Sequence, residues 1–145
     1  MPAGGDWSKQ SLWDERYAMV MKSDGEEDGA LSRTFDWIVP PSHVLQDLRN
    51  LGTGTGEGIL DVGCGNSTLC EELSSAGFTQ VVGVDFSAEI VEAMRARAAE
   101  MQCASPPSYH AMDATSMSFS TASFAVCIDK GCLDAMLTPL DQAKR

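Results

Sequence analysis

The stretch ILDVGCGNSTL at residues 59–69 constrains the fold of this chain more than any other. A short apolar run leads straight into Gly63 and Gly65, so a brief strand has to end in a tight turn. Glycine lacks a Cβ, which lets backbone N–H groups in such a turn face a ligand at close range. A helix expected from about Asn66 would point its positive end at the same place. A Gly-x-Gly alone also serves plain packing. The second element is Asp85, twenty residues after Gly65 and at the end of the next apolar run, VVGVD. An acidic side chain there can accept hydrogen bonds from both ribose hydroxyls of an adenosine.

The rest of the chain repeats this alternation. Strands are predicted at 59–62, 81–85, 108–113 and 124–129. Helical stretches are predicted at 66–77, closed by Gly77, at 87–101 with Ser87 as N-cap, and from 133 onward. Ile90, Met94 and Ala98 share one face of the second of these. The order implies βαβ units and an α/β fold, a Rossmann-like parallel sheet flanked by helices. Ahead of it, residues 1–11 read as a disordered lead, 12–20 as a short helix and 22–32 as an acidic, Gly-rich surface loop. An aromatic cluster at 35–37 precedes Pro40 and Pro41, which suit a helix start, with Val44, Leu45 and Leu48 as its stripe. GTGTGEG at 52–58 looks like a phosphate loop, but it precedes a strand instead of following one and reads as a flexible connector.

Charge narrows the function. Twenty-one acidic against ten basic side chains give a net charge of −11, which argues against nonspecific nucleic-acid binding. No apolar run is long enough to span a bilayer and no secretory signal is read, so a cytoplasmic protein is expected, with no membrane partner. Five cysteines without a C-x-x-C pair, and two histidines, read as reduced thiols and no metal site. A dinucleotide site wants G-x-G-x-x-G, yet Thr68 stands where the third glycine belongs. Asp61, two residues before the first glycine, is a poor neighbour for a pyrophosphate. A ligand with a positive ammonium and sulfonium, such as S-adenosyl-L-methionine, would favour it.

LDVGCGNS, GVDFS, AMDAT and SFAVCIDKGCLDAML resemble the class I, seven-strand S-adenosylmethionine-dependent methyltransferases. With WDERY near the N-terminus, FDW at 35–37 and D-K-G-x-L-D-A at 129–135, they resemble the branch that methylates lysines of translation elongation factor 1-alpha. The resemblance spans roughly residues 12 to 140 and implies protein-lysine N-methylation, with elongation factor 1-alpha or a similar basic protein as substrate. It implies that Gly63 and Gly65 underlie the methionyl part, Asp85 holds the ribose and Phe86 lies along the adenine. Asp113 and Ala114 would touch the adenine edge, and Asp129 and Lys130 would border the methyl-transfer site, Asp129 orienting the incoming amine. Trp13, Tyr17 and Trp37 would close over the cofactor, since aromatic faces attract a sulfonium. Because the donor site is shared, a small-molecule methyltransferase remains an alternative, and the expected truncation adds a non-catalytic donor-binding remnant as another. Residues 12–145 are expected to form the N-terminal part of such a domain, with its first four strands and not the later ones, a C-terminal truncation. The strand at 124–128 is expected to suit burial on both faces.

Overall fold

The computed structural model describes residues 8–23 and 34–142. Four strands form one parallel sheet in the order β3-β2-β1-β4: β1 (Gly58–Val62), β2 (Gln80–Asp85), β3 (Ser108–Ala111) and β4 (Val126–Asp129). Helices α1 (Gln10–Ser23), α2 (Pro41–Asn50), α3 (Leu69–Ser75), α4 (Ala88–Glu100) and α5 (Cys132–Gln142) flank it. The Rossmann-like α/β expectation is met. Residues 1–7 of the expected lead and residues 24–32 of the expected loop lie outside the described residues, while Gln10 and Ser11 of that lead and Lys22 and Ser23 of that loop belong to α1 instead. No helix among the described residues is long and apolar enough to cross a membrane.

Apolar sequence and burial agree through most of the core. Ile59, Leu60, Val81 and Val84 are buried in β1 and β2, and Ile90, Val91, Met94 and Ala98 form the inner face of α4. Apart from Ala98, burying each of these side chains contributes roughly 1.5–3 kcal/mol before chain entropy is subtracted. Gly83 is small because it must be: a Cβ there would lie 2.7 Å from the Tyr109 ring and 3.0 Å from Cys64 Sγ. Pro41 opens α2, where a missing N–H costs nothing, and Leu48 anchors that helix with Val44 and Leu45 half-buried beside it.

Three local expectations are corrected. Ser87 stands at the N-cap of α4, but its hydroxyl makes no capping bond and is buried without a partner. Residues 52–58 are tied down: Thr53 N–H bonds Leu48 O, Thr79 N–H bonds Thr55 O and the Gln80 amide bonds Gly56 O. Strand β4 is not covered on both faces. Val126 and Ile128 pack on the core, while Cys127 and Asp129, on the other face, are exposed.

Candidate functional site

In a parallel sheet, the strand neighbours reverse direction of chain progression beside β1, since β2 lies on one side and β4 on the other. Ligands bind outside the C-terminal ends of strands at such a switch point. A cavity of about 270 Å³ opens there, close to the lower end of ordinary small-molecule sites, which begin near ~300 Å³. Each strand delivers residues to it. After β1 come Gly63 to Ser67, and β2 ends in Val84 and Asp85 with Phe86 just beyond it. The loop after β3 gives Met112 to Thr115, and the loop after β4 gives Lys130 and Gly131, followed by Cys132 at the start of α5.

The floor is the glycine turn. Gly63 (φ 68°) and Gly65 (φ 50°) both adopt left-handed backbone that disfavours a side chain. A Cβ on Gly63 would sit 2.6 Å from Cys132 Cβ, and one on Gly65 would sit 2.9 Å from the Tyr17 hydroxyl. Asp85 closes the turn from the side. Its Oδ2 accepts the Gly65 N–H at 3.0 Å and its Oδ1 accepts the Ser87 N–H at 3.0 Å. A carboxylate has about four lone-pair positions, so each oxygen keeps capacity for a ligand hydroxyl. Burial raises the Asp85 pKa, and the bonds from Ser87 and Gly65 pull it back.

The roof comes from the N-terminal segment. Trp13 and Tyr17, one helical turn apart on α1, are both buried, with ring centroids 5.9 Å apart. Trp37 meets Trp13 at 6.1 Å and Phe35 at 4.9 Å, both edge-to-face. The Arg16 guanidinium lies 5.2 Å from the Phe35 ring centre and 5.5 Å from that of Trp37. Contacts of this kind contribute about 0.5–2 kcal/mol each. Gln10 ties α1 to the sheet by donating to Phe86 O at 3.1 Å.

The ten residues expected to surround a cofactor, Trp13, Tyr17, Trp37, Gly63, Gly65 and Asp85 among them, all lie in the cavity wall. Phe86 and Ala114 are half-buried there, the Lys130 side chain is largely enclosed, and Asp113 is exposed at the rim. The Thr115 hydroxyl and N–H hold the Asp113 carboxyl below its usual range. Asp129 stands apart from the lining. Its Oδ1 accepts the Gly131 N–H at 2.8 Å and its Oδ2 the Leu133 N–H at 3.0 Å, at the start of α5.

Asp61 is not where its charge was expected to act. It is 1% exposed beneath the turn, absent from the cavity wall, and Cys70 Sγ on α3 donates toward it at 3.7 Å. Strand alternation turns it toward α3 rather than the ligand. Burial pushes its carboxyl up to about 7 against the opposing influence of Lys130. Nor does a helix start at Asn66: α3 begins at Leu69, with Glu71 and Glu72 in its first turn.

Sequence patterns did not single out Asp36, Ser67 or Arg16. Lys130 Nζ donates to Asp36 Oδ1 at 2.5 Å and to Ser67 Oγ at 2.9 Å, and Ser67 in turn donates to Asp36. These pairings cross 94 and 63 residues, beyond the reach of any local period. The one available signal was position: Asp36 sits between two aromatics and Arg16 lies inside WDERY.

A methyltransferase-domain family model matches residues 59–144. Among curated proteins, EEF1A lysine methyltransferase 4 of Bos taurus is 36% identical over 126 residues, which cover 87% of this chain and 44% of that protein. The eEF1A lysine and N-terminal methyltransferase of Homo sapiens is 42% identical over 84 residues, covering 57% of this chain and 11% of that protein. The chain therefore spans less than half the length of these relatives. Among solved structures, magnesium protoporphyrin IX methyltransferase from Synechocystis PCC 6803, with bound SAM, superposes with a TM-score of 0.52 at 23% identity. That match covers 61% of this chain and 41% of the other, and it shows a shared fold.

Proposed function

The chain belongs to the methyltransferase-domain family, and from that premise we propose that its cavity binds S-adenosyl-L-methionine for transfer of a methyl group to a protein lysine. Elongation factor 1-alpha, or a basic protein like it, is the substrate this reading favours, because the bovine and human relatives are named for lysine methylation of that factor. The net charge of −11 is compatible with a basic partner. The observation that carries the reading is Asp85, held at the end of β2 by two backbone N–H groups beneath a roof of Trp13, Tyr17 and Trp37.

The cavity fits the donor's chemistry. An acid with spare lone pairs suits ribose hydroxyls, two glycines let the chain approach without a Cβ, and aromatic faces suit a sulfonium. When bound, the donor supplies a methyl group activated for in-line attack by a neutral amine. The chain's own contribution is positioning and exclusion of water. Asp85 would fix the nucleoside, Phe86 and Ala114 would flank the base, and the roof would shield the sulfonium. Lys130, already committed to Asp36 and Ser67, would border the transfer position as a held group. A cytoplasmic setting accords with a translation-factor substrate.

Calorimetric titration with S-adenosylhomocysteine, with Asp85→Ala as control, tests the cavity. Labelled-methyl transfer to purified elongation factor 1-alpha tests the reaction. Binding lost in Asp85→Ala together with label on lysine supports the proposal. Label found only on metabolites would redirect it to a small-molecule methyltransferase, and binding without transfer would leave a donor-binding protein. A folded chain with no affinity for the ligand would sink the donor reading.

A further inference from the structure

We propose that Asp36 is a positioning residue: gripped by Lys130 and Ser67, its carboxylate fixes Phe35 and Trp37 as the roof of the cavity. The proposal rests on the reading that the cavity takes the methyl donor. Residues 34–40 form neither helix nor strand, so no ladder of backbone bonds holds them. Their internal backbone bond, from Val39 N–H to Trp37 O at 2.7 Å, shapes the segment without anchoring it to the sheet. The Asp36 carboxylate supplies that anchor. It receives the Lys130 ammonium from the loop after β4 and the Ser67 hydroxyl from the glycine turn after β1. Ser67 also accepts Lys130 Nζ and the Leu69 N–H, so the cluster reaches the start of α3.

Burial makes the anchor matter. The Lys130 side chain is 8% exposed and that of Asp36 18%, far less than in a surface ion pair. An ammonium so enclosed needs its counterion, because removing one partner leaves an unpaired charge in a poorly solvated place. The segment it holds is under strain. Ile38 has φ 66°, a conformation a β-branched residue rarely adopts, while 71% of its surface stays exposed. No burial of Ile38 offsets that strain, so the neighbours must impose it. Gly131 faces the segment, where a Cβ would lie at ordinary contact distance, 3.7 Å from Trp37 Cβ and 3.8 Å from Ile38 Cδ1. From Trp37 the order passes through its contact with Trp13 and through Arg16 into α1. The roof is thus tied to the sheet at Asp36, as α1 is at Gln10.

Asp36→Asn keeps the shape and removes the charge, while Asp36→Glu keeps the charge. Hydrogen exchange is followed at Val39 and Leu69 and, as reference, in β1 and β2, all without ligand. S-adenosylhomocysteine affinity, donor KM and kcat are then measured. Asp36→Asn is expected to speed exchange at Val39 and Leu69 about tenfold with β1 and β2 unchanged. It is expected to weaken ligand affinity and raise donor KM about tenfold, with kcat at saturating donor within twofold, and Asp36→Glu is expected to restore most of each. Should Asp36→Asn not fold, Asp36→Asn with Lys130→Met removes both charges and is expected to show the same local loosening. Exchange that rises evenly through the sheet, or a loosened segment with unchanged affinity, overturns the proposal. If the wild type binds no ligand the donor reading falls, and the roof's role with it, while the exchange contrast still decides whether Asp36 is the tether.

Discussion

Gly65 donates its N–H to Asp85 Oδ2 at 3.0 Å, so the glycine turn and the acid twenty residues later are one unit, joined before any ligand arrives. Asp85 is 5% exposed, and its other oxygen is held by Ser87 N–H. Asn at this position would turn an amide NH2 toward one of the two N–H donors. A buried donor left without an acceptor costs about 1–3 kcal/mol. Asp85→Asn is expected to lower unfolding free energy by that amount in urea melts. Loss of a charged acceptor for ribose should also weaken S-adenosylhomocysteine roughly ten- to hundredfold by calorimetry. A melt that shifts with binding unchanged would leave Asp85 a structural clamp only.

The two glycines of the turn separate by what a methyl group would strike. Both need left-handed backbone, so Ala costs about 1–2 kcal/mol at either from conformation alone. At Gly63 the new Cβ meets Cys132 Cβ at 2.6 Å and Sγ at 2.9 Å, and Cys132→Ala removes the sulfur while leaving the closer atom in place. At Gly65 it meets the Tyr17 hydroxyl at 2.9 Å, which Tyr17→Phe removes. Gly63→Ala is therefore expected to lose ~2–5 kcal/mol and to keep most of that loss in the Cys132→Ala background, because the closer Cβ contact remains. Gly65→Ala should regain ~1 kcal/mol in the Tyr17→Phe background. Denaturant melts of both double-mutant cycles check this, and equal coupling in the two cycles contradicts it.

Asp61 gives stability a pH dependence of definite sign. Its folded pKa is raised by burial to about 7, above an unfolded value near ~3.9, so the folded chain keeps a proton there that the unfolded chain loses. The contribution is fully present below about pH 4 and fades as pH rises through about 7, at a slope of up to ~1.4 kcal/mol per unit. Asp61→Asn cannot ionise and should flatten this fall. Thermal melts of the two proteins from pH 4.5 to 7.5 are the measurement. Parallel curves would show that Asp61 does not carry the titration.

The sheet was legible in the sequence because its strands are short apolar runs punctuated by Gly, Asp and Pro, and β1 and β2 bury what they promised. The cavity wall was legible because a parallel sheet brings its strand ends together, so Gly63, Asp85, Asp113 and Lys130 meet there regardless of loop detail. What escaped depends on tertiary pairing. No pattern in FDW says that Asp36 will find Lys130, and none in LDVG says that Asp61 will turn beneath α3. Ser87 shows the converse: a residue type apt for capping stands at the cap position with its hydroxyl unused.

Asp129 was expected to orient an incoming amine, whereas its geometry favours work on the backbone. Both oxygens accept N–H groups, from Gly131 and Leu133, and the residues so held include the Gly131 turn at φ 120° and the Lys130 beside it. Loss of a helix-start acceptor costs about 0.5–2 kcal/mol. Asp129→Ala is expected to lose that stability, to weaken S-adenosylhomocysteine severalfold by displacing Lys130 and Cys132, and to leave kcat at saturating donor and protein substrate within about threefold. Asp129→Asn retains one acceptor and should fall between. Urea melts and steady-state kinetics with labelled donor separate the two roles. An unshifted melt with kcat reduced a hundredfold would return Asp129 to the amine, and a kcat that holds while the melt moves keeps it on the backbone of α5.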